Sequence, residues 1–486
     1  MAVETYSWPM RDRFRDRTRE LAALERWWQS DTTEPVNLHG RRRVGKSWLF
    51  RQFAHDKPAV VLVADQVVIG QQLDHLADQL QGALGVKPRL DDVSGLVSVL
   101  YDLARDRKVL VVIDEFPYLL GTTEAERSRT LSSIQAVMEQ KQDSSHLKLI
   151  LTGSSIATME SLQSERNPLH GRLRPLSLWP MPFPEATLLL ETDDPLEQLG
   201  RYAIAGGMPR YLSALAKDDL ATVIANAIVD PYSQLFNEPP TLLQTELREP
   251  TVYVSILACL SNNPQGLADI AAGLGMEGKE LSKYLTTLES LRLVERRRPV
   301  GANPKSRVTQ YRCTDHFIRF WFKFIQPFQG ELEAGADPAA HVAQHIVPFL
   351  PEHTAIVFEE AVVSWLRSRH AGSSEVGAWW GPALNRLRAK KERFSEEVDA
   401  AALNGTTVVA VAEARWTNKP MPARTLADLL EFKLPAMVQA GLKVNAPEIV
   451  LTSRSGFSDG LVGEAAKNAN VTLVGARQVL SDLTSR

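Results

Sequence analysis

The stretch Gly40–Phe50, "GRRRVGKSWLF", decides how the first third of this chain is read. Gly40, Gly45, Lys46 and Ser47 satisfy the spacing G-x-x-x-x-G-K-[ST]. Such a loop turns successive backbone N–H groups toward a phosphate and adds the positive end of the helix that follows. The pattern also arises by chance at an arginine-rich helix start, so its flanks must decide. Upstream, "EPVNLHG" reads as a short buried strand; downstream, "KSWLFRQFA" reads as a helix. Strand, glycine loop and helix in that order are the context the motif requires.

Working outward, "AVVLVAD" (Ala59–Asp65), "KVLVVIDEFPYLL" and "HLKLILTGSS" are further apolar strands separated by helical stretches. The alternation predicts an α/β fold with a parallel sheet covered on both faces, its ligand at the carboxyl ends of the strands. Two of those ends carry suitable groups. Asp114 and Glu115 close one strand, suiting them to hold Mg²⁺ and to orient an attacking water. Thr152 and Ser154 close another, where a hydroxyl can meet a terminal phosphate, although a plain strand exit explains them equally well. On this reading the backbone of Gly40, Arg41, Arg42, Arg43, Val44 and Gly45 cradles the phosphates, beside Trp48. Lys46 neutralises them, and Ser47 joins Asp114 on Mg²⁺.

Composition bounds the rest. The 486 residues exceed one core and imply two to four domains. A net charge of −3 excludes a globally basic nucleic-acid binder, so any such contact must be local. Two cysteines, Cys259 and Cys313, exclude a disulfide framework and favour a reducing cytoplasm. No apolar run is long enough for a bilayer, so no membrane partner is expected.

The elements "RFRDRTRELAALERWW", "HGRRRVGKSWLF", "VIDEFPYLL", "LTGSS", "LHGRLRPLSLWPMP" and "GGMPRYL" occur in an order that resembles the archaeal-type P-loop ATPases of the STAND/AAA-like group. The resemblance spans most of the chain. It implies ATP with Mg²⁺ as cofactors and adenine rather than guanine. It also implies nucleotide contacts at Gly40, Gly45, Lys46 and Ser47, with Asp114 and Glu115 serving metal and water. In "GGMPRYL", Pro209 would approach the base and Arg210 sense phosphate, unless the segment is only a helix-breaking turn. Arg172 and Arg174 supply an arginine finger or simply cap a helix; a finger acting in trans would need a homo-oligomer.

The expected division is a P-loop core over 1–184, a helical lid over 185–246, a winged helix-turn-helix over 247–330 and a C-terminal α/β domain over 345–486. "LWPMPFPEA" is too proline-rich for helix or central strand, and "QGELEAGADPAAH" reads as an exposed connection. In the third part, "LADIAAGLG" would support "GKELSKYLTTLESL" as recognition helix. Arg296, Arg297, Arg298, Lys305, Arg307 and Arg312 would make a basic wing able to neutralise DNA phosphates. In STAND-type proteins, however, such a domain also closes over nucleotide or docks a protein partner.

The C-terminal part resembles the PD-(D/E)xK nuclease fold. Asp399 and Glu413 stand on facing strands, and Glu359 or Glu360 on the preceding helix adds a possible second-metal ligand. The pattern asks for lysine two residues after the glutamate, where this chain has Arg415, a poor proton acceptor. Lys419 is a nearby substitute, and a fold retained without cleavage is the competing reading. Three functions follow: an ATP-driven switch, an ATP-regulated DNA nuclease, or a DNA-binding regulator that holds ATP structurally. A small-molecule kinase is disfavoured, because the Asp-Glu pair suits water as nucleophile.

Overall fold

A computed structural model describes residues 17–247, 249–303, 306, 308–384 and 395–485. The chain divides into two units. The first comprises the residues up to Pro180 together with Met208–Arg210, and the second comprises Met181–Gly207 and everything from Tyr211.

The first unit is organised by apolar runs that no single face could accommodate. Its strands are β1 (Val36–His39), β2 (Ala59–Val63), β3 (Val109–Asp114), β4 (Leu147–Gly153) and β5 (Arg174–Ser177). β1 and β4 are buried along their whole length, as a sheet covered on both sides demands. All five run parallel in the order β2-β3-β4-β1-β5. Helices α1 (Thr18–Gln29), α2 (Lys46–Ala54), α3 (Ile69–Leu84), α4 (Val93–Leu103) and α5 (Glu124–Lys141) make up most of the rest. Leu76 and Leu80 of α3, with Leu96 and Leu100 of α4, pack on Leu62, Val111, Ile113 and Leu149. Helix starts are fixed locally: Asp92 accepts from the Gly95 amide, and Thr123 forms a capping box with Glu126.

The strand order has one consequence for chemistry. β4 lies between β1 and β3, with Leu38 opposite Thr152 and Ile113 opposite Leu151. The loop after β1, the end of β4 and the end of β3 therefore share one edge of the sheet.

The second unit opens where a proline-rich segment was expected to resist helix, yet Phe183–Ala186 forms one helical turn. Pro184 sits in that first turn, where its missing N–H costs nothing. Helix α6 (Pro195–Ala205) follows from the cap of Asp194 and ends at Gly206 and Gly207. A Cβ on Gly207 would lie 1.9 Å from the Met181 carbonyl oxygen, so only glycine fits. Next come α7 (Pro250–Leu260), α8 (Leu267–Leu274), α9 (Gly278–Ser290) and an antiparallel hairpin of β6 (Val294–Arg297) and β7 (Gln310–Cys313). Helix α10 (His316–Phe324) is buried along almost its whole length. The segment expected as an exposed connection instead folds into short helices, Gln329–Glu333 and Pro338–His341, which bury Leu332 and His341.

After α11 (Leu350–Arg369) the chain builds a mixed sheet from β8 (Glu375–Pro382), β9 (Ser395–Asn404), β10 (Thr407–Arg415), β11 (Lys443–Ser453) and β12 (Val471–Gly475). Its order is β12-β11-β10-β9-β8; the β8–β9 and β9–β10 pairs are antiparallel and the others parallel. Ala400, Ala402, Ala410 and Ala412 put small side chains on one face, where Phe358, Ala361 and Trp365 of α11 pack. Val398, Leu403 and Val411 join Leu434 and Met437 in the core on the other face.

Candidate functional site

The glycine loop is shaped by steric necessity. A Cβ on Gly40 would stand 2.2 Å from the Leu178 carbonyl oxygen. Arg43 and Gly45 take positive φ of 68° and 101°, turning the chain into α2 at Lys46. Buried Lys46 donates from Nζ to the carbonyls of Gly40 (2.6 Å) and Arg41 (3.2 Å), folding its charge into the loop. Between the glycines, Arg41 and Val44 are buried while Arg42 is exposed; Trp48 is also exposed. The first amides of α2 have no acceptor within the helix, which leaves donors where an anion would sit.

Ser47 Oγ donates to Asp114 Oδ2 at 3.3 Å, joining the loop to the end of β3. Burial pushes the Asp114 carboxyl up, and the Glu115 charge adds to that; Lys46 and the Ser47 hydroxyl oppose it. A carboxylate held in this way gains from a cation beside it. Glu115 occupies the left-handed region at φ 56°, and its Oε2 accepts from the Ser154 amide (3.1 Å) and hydroxyl (2.9 Å). Thr152 is fully buried between β1 and β3, and its hydroxyl has no hydrogen-bond partner among the described residues. Pro209 also reaches this unit, its Cγ 3.8 Å from where a Gly45 Cβ would stand. Arg210 is exposed. Arg172 pairs with Glu139 at 2.5 Å, and Arg174 lies 3.5 Å from Glu34.

One supporting residue escaped sequence reasoning. Arg17 is buried at φ 62° and donates to the carbonyls of Val44 (3.1 Å) and Trp179 (2.9 Å), fastening the back of the loop. Nothing in the local pattern distinguishes it from the arginines around it.

In the second unit, Asp399 of β9 accepts from the Ala414 amide at 2.7 Å. Glu413 of β10 is buried and holds the Lys433 ammonium at 2.5 Å on Oε2. The lysine that reaches Glu413 is thus Lys433, from the helical turn Leu429–Lys433, and not the exposed Lys419; Arg415 turns to Thr425 Oγ1 at 3.3 Å. Burial and the Asp399 charge push Glu413 up to about 8, against the pull of Lys433. Burial likewise raises Asp399 and, together with the Asp399 and Glu397 charges, Glu359. Glu397 belongs to the same group and was missed, although its i, i+2 spacing from Asp399 puts both on one face of β9. Among the described residues, no three His, Cys, Asp or Glu side chains converge closely enough to hold a metal ion by themselves.

The hairpin arginines separate. Arg296 and Arg298 are exposed, whereas Arg297 stacks over Trp380 at 5.4 Å. Arg312 is spent on Glu295 and Glu360. Lys305 and Arg307 lie outside the described residues.

A parallel sheet whose first strand runs through a glycine loop into a helix, with a serine meeting the acid at the end of the strand next but one, defines a P-loop unit of the nucleotide-binding class. Within that class, residues 14–215 match the family described as an ATPase domain predominantly from Archaea. Residues 321–426 match a second family, archaeal and bacterial proteins of unknown function. Over 414 residues the chain is 27% identical to the uncharacterized protein MJECL04 of Methanocaldococcus jannaschii, covering 83% of this chain and 88% of that one. The Walker-type ATPase PABY2304 of Pyrococcus abyssi shares the fold at 18% identity and a TM-score of 0.51, over 66% of this chain and 99% of that one. The ORC2 protein of Aeropyrum pernix, solved with ADPNP and ADP, aligns at 16% identity and a TM-score of 0.40, over 67% and 97%. Among the described residues, no helix is long and apolar enough to cross a membrane.

Proposed function

We propose that this chain binds and hydrolyses ATP and uses the nucleotide state to reposition its second unit. The observation that carries the reading is the Ser47–Asp114 contact beside the buried Lys46, on an edge shared with Glu115. The loop backbone and Lys46 bind the phosphates, and Ser47 and Asp114 hold the metal. Bound there, Mg²⁺ withdraws charge from the phosphate oxygens. Glu115 orients a water toward the γ-phosphorus and takes up its proton. The bond from that phosphorus to the β–γ bridging oxygen breaks, leaving ADP and phosphate. Ser154 holds Glu115 in its positive-φ position until nucleotide arrives.

Coupling runs through the chain itself. Met208–Arg210 belong to the first unit, while Gly207 and Tyr211 on either side belong to the second. A ligand that displaces Pro209 at Gly45 pulls on both neighbours directly. Radiolabelled ATP turnover tests the reading: Glu115→Gln should bind ATP and fail to hydrolyse it, whereas absence of saturable ATP binding by the folded wild-type chain would end it.

A second reading concerns nucleic acid. Exposed Arg296 and Arg298 on the β6–β7 hairpin support contact with DNA by a winged-helix arrangement of α8, α9 and that hairpin. The Lys433–Glu413 pair beside Asp399 supports metal-dependent strand cleavage. Linearisation or nicking of plasmid DNA in Mg²⁺ or Mn²⁺, lost in Asp399→Ala, is its test.

A further inference from the structure

Strand β5 is the edge on which the glycine loop leans. Among the described residues it pairs only with β1, and none of its four residues is buried. β1, in contrast, is buried along its whole length. An exposed edge strand this short opens at little cost. Yet the Leu178 carbonyl, one residue past β5, stands where a Cβ of Gly40 would have to go. Were β5 to drift from β1, the first glycine of the loop would lose the wall behind it.

Two side chains close the ends of these strands on each other. His39 stands opposite Ser177 in the parallel register, and its Nε2 lies 3.0 Å from Ser177 Oγ. The ring is oriented from its other side, where Nδ1 lies 3.3 Å from the Asn37 carbonyl. A carbonyl can only accept, so Nδ1 carries the hydrogen. Nε2 of the neutral ring then accepts from the Ser177 hydroxyl. Glu160 Oε1 stands 4.0 Å from the same nitrogen, beyond hydrogen-bond reach. The Trp179 ring meets the imidazole edge to face at 6.3 Å, and the Leu178 amide donates to the His39 carbonyl at 2.7 Å. His39 is only 4% exposed, so little water competes at its end of the bond.

The loop takes its position from this junction. Gly40 follows His39 directly, and its carbonyl holds Lys46 Nζ at 2.6 Å. Arg17 bonds the Val44 and Trp179 carbonyls together, so the far part of the loop rests on the same wall. The segment Ser177–Trp179 is therefore the backing against which the loop amides are aimed. Small errors in such an aim are costly, because donors act on a phosphate only when correctly placed.

We propose that His39 and Ser177 are positioning residues for ATP: their bond holds edge strand β5 on β1 and keeps the Leu178 carbonyl behind Gly40. The role rests on the ATP reading above and adds what keeps the loop in shape. Neither side chain touches the acids that serve metal and water, so the pair acts on nucleotide binding and leaves the chemical step alone.

Fluorescence titration of the full chain with N-methylanthraniloyl-ATP and Mg²⁺, beside phosphate release, tests it. Ser177→Ala should weaken binding about fivefold, within the range for one neutral hydrogen bond. KM should rise with it while kcat stays within about twofold, the signature of lost binding rather than lost chemistry. His39→Ala should weaken binding about tenfold or more, since it also empties buried space. Adding Ser177→Ala to His39→Ala should then cost less than about twofold, because the two act as one unit. His39→Gln, whose amide oxygen can take the Ser177 hydroxyl, should bind better than His39→Ala and lose that advantage once Ser177→Ala is added. Thermal melting establishes that each variant folds; should His39→Ala not fold, Ser177→Ala and His39→Gln decide. Unchanged ATP affinity in Ser177→Ala, effects of the two substitutions that simply add, or kcat falling while KM stays put would each overturn the proposal and leave the ATP reading standing. No saturable binding by the wild-type chain would end that reading and this role together.

Discussion

Each unit of this chain gathers acidic side chains at the end of a sheet, and the two do it in opposite ways. In the first, Asp114 and Glu115 are adjacent in sequence, and each has a hydroxyl to lean on, Ser47 for one and Ser154 for the other. In the second, Glu359, Glu397, Asp399 and Glu413 come from a helix and two strands; burial, and then the Asp399 charge, raises the proton affinity of the other three. The first site is a socket in which a hydroxyl donates to each acid; the second is an acidic imbalance held in check at Glu413 by Lys433. The contrast predicts that single substitutions in the first unit alter chemistry, while those in the second alter folding as well.

The largest effect belongs to the first unit. Lys46→Ala should abolish ATP binding, and Glu115→Gln should retain binding while turnover drops by roughly 10²–10⁴-fold, the usual worth of a positioned general base. Equilibrium dialysis with ATP and Mg²⁺, beside phosphate release, separates the two. If Glu115→Gln hydrolysed ATP normally, Glu115 would be a structural acid and not the general base.

Legibility in sequence follows the same divide. The placement of the glycine loop and of the Asp-Glu pair at strand ends was readable because those residues lie close together along the chain, with strand and helix periodicity on either side. The parallel sheet was readable for the same reason, since "VLVVID" and "LKLILTG" have no polar face to expose. Arg17 was not, because its partners Val44 and Trp179 are 27 and 162 residues away. Lys433 was not, because it reaches Glu413 from a helical turn 20 residues further on, and sequence proximity favoured Lys419. The hairpin arginines read alike as a basic wing, yet the fold spends Arg312 on carboxylates and lays Arg297 against Trp380. Charge that is local in sequence announces itself; charge assembled by tertiary packing does not.

Lys433 is where the imbalance of the second unit can be broken. Lys433→Met removes the cation hydrogen-bonded to the buried Glu413 carboxyl and should cost roughly 1–3 kcal/mol, the range for leaving a buried polar group without its partner. Adding Glu413→Leu should recover most of that loss, because the two residues are in contact and their effects cannot add. Urea denaturation of the two single variants and the double variant measures the coupling. A full loss in the double variant would mean that Lys433 stabilises through packing alone.

Acid sharpens the comparison from another side. His316 is buried on α10, and desolvation, only partly offset by Glu360, lowers its pKa from 6.5 to about 4. Between those values the unfolded chain binds a proton that the folded chain refuses, so stability is lost as pH falls through that window. The full shift corresponds to roughly 3 kcal/mol, reached only at the acid end; at pH 5.5 the loss is below about half of that. Urea midpoints of wild type and His316→Gln from pH 7 to pH 4.5 should diverge in slope, the wild type falling faster. Parallel curves would show that the histidine takes up its proton without penalty.

The smallest effect expected is at Arg172, and it bears on whether the first site is complete in one chain. Arg172 is about one-third exposed, and its Glu139 partner is half exposed. A pair in that setting contributes less than about 1 kcal/mol, so Arg172→Ala should barely move the melting temperature. If the residue serves only that pair, ATP turnover should stay within about twofold of wild type, as expected for a surface change remote from the chemistry. A collapse of turnover with intact ATP binding would instead place Arg172 on the phosphate of a neighbouring copy, and mixing Arg172→Ala with Lys46→Ala protein should then restore part of the activity. The socket would in that case have its own acids and lysine in place and still lack the charge that a second chain brings.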